Sequence, residues 1–308
     1  MITPDNPYFR QVQLLVRALP YVARERCFAL KGGTAINLFI RDLPRLSVDI
    51  DLAYLPLSGY DESRREIDAA LRRIADDLSA GSPAHAVTLG ANDGAGFVDT
   101  LNVSDGARNI KIEVNPVLRG AVNPPSMLAL RPLVQEQFGF AEINSLAFED
   151  IYAGKLMAAI DRQHPRDLFD VMVLLENEGI SDRLFETWLV YLVGHKGNMA
   201  DTLDPNRKDI EHLFRSQFVT MTDREISLEQ LVDARERLIN ELRGRLGDRQ
   251  KTFLLSVKRG EPRWDLIDFK EAGNLPAVAW KLHNIGRMKP EARQRAIERL
   301  EKVLNAMR

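Results

Sequence analysis

Two aspartates stand one residue apart in Ser47-Val48-Asp49-Ile50-Asp51-Leu52. Along a strand, alternate side chains share a face, so Asp49 and Asp51 point one way while Val48, Ile50 and Leu52 pack on the other. Two carboxylates on one face repel each other and resist burial, a conflict that a divalent cation removes. Oxygen donors of this kind suit magnesium, which bridges carboxylates and substrate phosphates. Upstream, Leu30-Lys31-Gly32-Gly33-Thr34 places a glycine pair at the entrance to a helix. Backbone N–H groups and the positive end of a helix suit the β- and γ-phosphates of a nucleoside triphosphate. The chemistry served by such a pair of elements is attack on an α-phosphate with expulsion of pyrophosphate.

A third carboxylate is available in Ile110-Lys111-Ile112-Glu113-Val114, where apolar residues alternate strictly and Lys111 shares the polar face with Glu113. Glu113 is a candidate metal ligand, or acceptor of the nucleophile's proton, beside Asp49 and Asp51. Ser47 is expected on the aspartates' strand face, where it could bond a phosphate or orient a carboxylate. Each piece has a plainer reading. A lone Gly-Gly is usually a turn, Asp-x-Asp can be an exposed strand face, and Lys111 and Glu113 can be the solvated side of an edge hairpin. Taken in order, as glycine turn, helix, Asp-x-Asp strand and Glu strand, they favour catalysis.

These residues need elements to hold them. Helical periodicity predicts a first helix over Tyr8 to Leu19, ended by Pro20, with Asn6 as its cap and Pro7 in its first turn. A short helix begins at Gly33-Thr34 and turns Ala35, Leu38 and Phe39 inward. The aspartate strand spans about Val48 to Leu55. Asp61 to Leu78 reads as an amphipathic helix with Ile67, Ala70, Leu71, Ile74 and Leu78 on one stripe. Thr88 to Asn92 fits no template clearly. Phe97 to Val103 and Asn109 to Val117 form a hairpin around Ser104-Asp105-Gly106-Ala107. From Ala147 the pattern is almost wholly helical, with helices over Ala147 to Arg162 and Arg166 to Glu178 around the break Gln163-His164-Pro165. Others follow near Arg183 to Val193, Leu228 to Leu246, Leu275 to Ile285 and Pro290 to Met307. The expected class is α/β (α+β): a mixed β-sheet flanked by helices in residues 1–145, then a helical part in residues 146–308.

The 308 residues carry a formal net charge of −2, so the whole molecule is no obvious polyanion binder and any nucleic-acid contact needs local basic patches. Arg237, Arg243, Arg245, Arg249 and Lys251 form one such group, and Lys281 to Arg295 another, both with acids interleaved. The single cysteine, Cys27, excludes a disulfide within the chain and reads as a small core residue of a cytoplasmic protein. No apolar run approaches membrane-spanning length, and Met1-Ile2-Thr3-Pro4-Asp5 lacks the segments of a signal peptide. His85, His164, His195, His212 and His283 show no metal-ligand spacing.

The order Leu30-Lys31-Gly32-Gly33-Thr34-Ala35, Ser47 to Leu52, Lys111-Ile112-Glu113-Val114, Ala153-Gly154-Lys155-Leu156 and Arg166-Asp167-Leu168-Phe169-Asp170 resembles the AbiEii/AbiGii toxin family. These are nucleotidyltransferase-like toxins of type IV toxin–antitoxin and abortive-infection systems, within the polymerase-β-like superfamily. The motifs cover roughly residues 25–180, and the spacer from Gly33-Thr34 to Asp49 is slightly longer than the general superfamily pattern. The resemblance implies a metal site at Asp49, Asp51 and Glu113, with Mg2+ or Mn2+ as cofactor. It implies that Lys155 contacts the triphosphate, for which Gly32, Gly33, Thr34, Ser47 and Arg162 are the further candidate residues. It also implies a late acidic motif at Asp167 and Asp170, with Asp170 joining Lys155 in catalysis, an RNA acceptor such as tRNA, and a cognate antitoxin. The residues lend this some support: Lys155 and Arg162 lie seven apart on one helical face, and Asp167 and Asp170 three apart. Asp167 is equally placed to be a first-turn acid of its helix.

Two other readings stay open at this stage. One is nucleotidyl transfer to a small molecule, of the antibiotic-modifying type. The other is a nucleotide-binding module without catalysis.

Overall fold

The structure, a computed structural model, describes residues 6–81, 86–91 and 96–307. Met1 to Asp5, His85 and Asn92 lie outside the described residues. The chain divides into two compact units. One comprises Met1–Ile151 with Val219–Glu225, the other Tyr152–Phe218 with Ile226–Arg308.

The first unit is built on a mixed seven-stranded sheet in the order β3-β4-β5-β2-β1-β7-β6. The strands are β1 (Phe28–Lys31), β2 (Asp49–Tyr54), β3 (Ala86–Gly90), β4 (Thr100–Ser104), β5 (Asn109–Val114), β6 (Ser126–Ala129) and β7 (Glu142–Ser145). β2 with β5 and β1 with β7 are parallel, and the remaining pairs are antiparallel. Ile50, Leu52, Ile112 and Leu101 are fully buried, which is why the central strands alternate as sharply as their sequences do. The hairpin turn closes with Asp105 N–H donating to the Arg108 carbonyl at 3.1 Å.

Four helices belong to this sheet: α1 (Phe9–Val22), α2 (Gly32–Thr34), α3 (Tyr60–Gly81) and α4 (Pro132–Phe138). Asn6 does serve the start of α1, its Oδ1 accepting from Tyr8 N–H at 3.0 Å. Pro20 does not end that helix, which runs on to Val22. Proline costs a helix one N–H bond and clashes with the carbonyl four residues back, but Pro20 sits in the last turn, where little helix remains to break. α2 continues as a π-helical stretch over Ala35–Ile40, with Ala35, Leu38 and Phe39 buried. In α3 the expected stripe Ile67, Ala70, Leu71, Ile74 and Leu78 is buried. Periodicity left β1, β6 and β7 unassigned, because four-residue runs are too short to show a period.

The second unit is helical. The boundary falls in the first turn of α5 (Phe148–Asp161), after which come α6 (Pro165–Glu176), α7 (Asp182–Gly194), α8 (Met199–Leu203), α9 (Glu211–Gln217), α10 (Leu228–Gly244), α11 (Asp248–Arg259), α12 (Pro276–Gly286) and α13 (Pro290–Asn305). Phe169, Trp188, Leu238 and Phe253 are fully buried in it. Among the described residues no helix is long and apolar enough to cross a membrane.

Candidate active site

β2 carries Asp49 and Asp51 half-exposed on one face while Ile50 and Leu52 are fully buried on the other. The parallel neighbour β5 sets Lys111 beside Asp49 and Glu113 beside Asp51. On the other side, antiparallel β1 sets Lys31 opposite Asp51. Residues paired this way share a face of the sheet, so three acids and two lysines face one side of three central strands. Glu113 is ion-paired to Lys111. That bond, with Asp49 and Asp51 close by, holds the Lys111 ammonium above the usual lysine range.

β1 runs straight into the glycine turn. Gly32 has φ +75°, a left-handed backbone open to glycine, and a Cβ there would run into Oδ2 of Asp51. A Cβ on Gly33 would lie 2.9 Å from both Arg45 Nη2 and Ser47 Oγ. Thr34 is fully buried; its Oγ1 donates to the Asp49 carbonyl at 2.5 Å and lies 3.0 Å from Ser47 Oγ. Asn37 Nδ2 donates to the Gly33 carbonyl at 2.9 Å. The turn and the aspartate strand are thus bonded through Thr34, which leaves the turn's backbone N–H groups rather than the Thr34 hydroxyl to meet an anion. A π-helical segment directly behind the turn is of a kind that recurs at functional sites.

Ser47 is not on the strand as expected. β2 begins at Asp49, and Ser47 lies in the approach to it, buried against Thr34 and Gly33. That approach is pinned by Leu46 N–H donating to the Met221 carbonyl at 2.7 Å and by Thr222 Oγ1 donating to the Pro44 carbonyl at 2.8 Å. Arg45, singled out by nothing in the sequence, is 2% exposed and donates to the Leu46 carbonyl at 2.7 Å.

The second unit holds a charged cluster of its own. Lys155 Nζ on α5 lies 2.8 Å from Asp167 Oδ1 and 3.0 Å from Asp170 Oδ2 on α6. Arg162 reaches Asp167 Oδ2 at 2.8 Å. Lys155, Asp167 and Asp170 are all buried while Arg162 is largely exposed, so the helical spacing of Lys155 and Arg162 brings both cations onto one carboxylate. His164 forms the break between the helices and caps α6, its Nδ1 accepting from Arg166 N–H at 3.1 Å. Burial holds its imidazole below the usual histidine range, and the bond to Gln217 offsets this in part. Cys27 is half-buried rather than part of the core as expected; burial first and then Glu25 push its thiol up to about 11, which disfavours the reactive thiolate.

Among the described residues no three His, Cys, Asp or Glu side chains converge into a metal cage. The donor set still fits a hard divalent cation. Asp49 and Asp51 supply two carboxylates beside a residue without a side chain, and magnesium commonly takes one or two carboxylates and fills its shell with phosphate oxygens and water. Glu113 is engaged by Lys111 and does not complete a trio.

The family model described as nucleotidyl transferase AbiEii toxin, type IV toxin–antitoxin system, matches residues 13–284. This chain belongs to the AbiEii toxin family. The matched span takes in the glycine turn, the Asp49 and Asp51 strand, Glu113 and the Lys155 cluster of this AbiEii-family chain, and extends well into the helical unit. Among solved structures it is similar to MenT4, a nucleotidyltransferase toxin from Mycobacterium tuberculosis H37Rv. Identity is 14%, coverage is 99% of this chain and 95% of that one, and the TM-score is 0.49. No curated protein matches the sequence.

Proposed function

We propose that this AbiEii-family protein is a cytoplasmic, magnesium-dependent nucleotidyltransferase that moves a nucleoside monophosphate from a triphosphate to an RNA acceptor, tRNA in particular. As a toxin it would be countered by a cognate antitoxin. The observation that carries this reading is the packing of the Asp51 carboxylate against Gly32, which puts the cation's ligands and the phosphate turn side by side.

In this reading Asp49 and Asp51 hold the cation. When bound, it neutralises charge on the phosphates and orients attacking and leaving oxygens. The N–H groups of the Gly32–Thr34 turn face the β- and γ-phosphates. Glu113 is the base that receives the acceptor hydroxyl's proton as that oxygen bonds to the α-phosphorus and pyrophosphate departs. Ser47 keeps the turn in place from beneath. Lys155, with Arg162, is assigned to the triphosphate; its ammonium is held by Asp167 and Asp170, and would exchange a carboxylate for a phosphate oxygen.

Support for an RNA acceptor comes from the second unit's basic residues. Arg243, Arg245 and Arg249 are spent on Asp204, Asp182 and Asp268. By contrast Arg287, Lys289, Arg293 and Arg295 make no ion pair among the described residues. Arg293 and Arg295 line an open cavity of about 650 Å³ with Arg259 and Glu291.

The test is incubation with each labelled triphosphate, magnesium and total RNA. Label should enter RNA with wild type and not with Asp51→Ala. Label appearing only in small molecules would replace RNA by the small-molecule acceptor, and none at all would leave a binding module.

A further inference from the structure

We propose that Lys111 is a resident counter-ion of the carboxylate face that competes with a bound divalent cation for Glu113 and holds that carboxylate out of the cation's shell. This rests on the reading of Asp49 and Asp51 as cation ligands.

Three facts carry it. Lys111 is in register with Asp49, and Glu113 with Asp51, on adjacent parallel strands. The four side chains therefore form a square with three negative corners and one positive. Lys111 and Glu113 are bonded to each other along their own strand, each 42% exposed, so the pair is open to exchange. No trio of ligands is preformed among the described residues, although three carboxylates share the face.

The physical consequence is competition. Without a cation, three adjacent carboxylates would repel; Lys31 opposite Asp51 and Lys111 relieve part of that, and Lys111 does so in direct contact with Glu113. A divalent ion carries twice the charge and prefers carboxylate oxygens. With a cation held by Asp49 and Asp51, its repulsion of the Lys111 ammonium would weaken the hold of Lys111 on Glu113. The carboxylate is then held less tightly and can act as base, while the Lys111 ammonium still keeps it out of the cation's shell. Lys111 is thus a positioning residue that acts through Glu113.

The test is Mn2+ binding without nucleotide, followed by the electron paramagnetic resonance of free Mn2+, with the waters on bound Mn2+ counted by proton relaxation. Lys111→Met should bind Mn2+ about tenfold more tightly, as expected for removing one nearby positive charge at a half-exposed site. It should also lose about one bound water, because the freed Glu113 carboxylate takes that place. Lys111→Arg preserves the pair and should match wild type in both readings. Unchanged affinity in Lys111→Met overturns the assignment, and so does tighter binding with an unchanged water count. Mn2+ binding to wild type that Asp51→Ala leaves intact, or none at all, removes the cation reading beneath it.

Discussion

The Asp51 carboxylate occupies the space that a side chain on Gly32 would need. The two residues are 19 positions apart, yet β1 and β2 pair so that the residue before the glycine turn, Lys31, lies opposite Asp51. In the proposed function, this close approach of a carboxylate to the glycine turn is what joins the cation's ligands to the triphosphate.

Gly32→Ala should therefore fail twice. The left-handed backbone at φ +75° costs a β-carbon about 1–2 kcal/mol, and that carbon also displaces Asp51. We expect a lower melting temperature and a loss of transfer activity of about 100-fold or more. Gly33→Ala has no left-handed backbone to strain and meets only the ends of Arg45 and Ser47 at 2.9 Å. It should lose less of both. Equal losses in the two variants would show that the Asp51 contact does not matter.

The Lys155 cluster predicts an asymmetry between breaking and replacing charges. Lys155→Met leaves Asp167 and Asp170, both nearly fully buried, without their shared cation. Removal of one partner from a buried ion pair costs roughly 3–5 kcal/mol. Lys155→Met with Asp170→Leu should recover part of that in a denaturant melt while leaving transfer activity absent. Full stability in the single variant would contradict the buried pairing.

His164 gives stability a pH dependence. Its Nδ1 accepts the Arg166 N–H, so the cap needs an unprotonated nitrogen, and burial favours the neutral ring. A lowered folded value means the unfolded chain takes up a proton that the folded one refuses. Its contribution is whole above the ordinary histidine value of 6.5, and is lost as pH falls from there through the lowered folded value. In His164→Asn the side chain can cap without titrating. Melting temperatures compared between pH 5 and pH 8 should therefore fall less in that variant than in wild type, and equal falls would exclude His164 as the cause.

Arg293→Glu with Arg295→Glu should weaken RNA labelling and flatten its salt dependence, by about one unit of log–log slope for each phosphate that goes unneutralised. The melting temperature should hold, since neither side chain has an ion-pair partner among the described residues. Unchanged salt dependence would place the RNA surface elsewhere.

Much of this was written in local pattern. Alternation of apolar residues determined that Asp49 and Asp51 share a face, and likewise Lys111 and Glu113, because a strand's side-chain period of two depends on nothing distant. The 3.6-residue period of α3 and the spacing of Lys155 and Arg162 were legible for the same reason, and so was the helical character of the chain after Ala147. What the sequence could not determine was which strand lies beside which, and in what register. Parallel β2 and β5 are joined by a long excursion through α3, β3 and β4, and no local signal states that Asp51 meets Glu113. The short strands β1, β6 and β7 exist because neighbours complete their hydrogen bonds, and the approach to β2 is pinned at Pro44 and Leu46 by a segment, Val219–Glu225, far along the chain. Local periodicity chose each residue's face; only tertiary pairing, which depends on contacts between distant segments, decided what each face would meet.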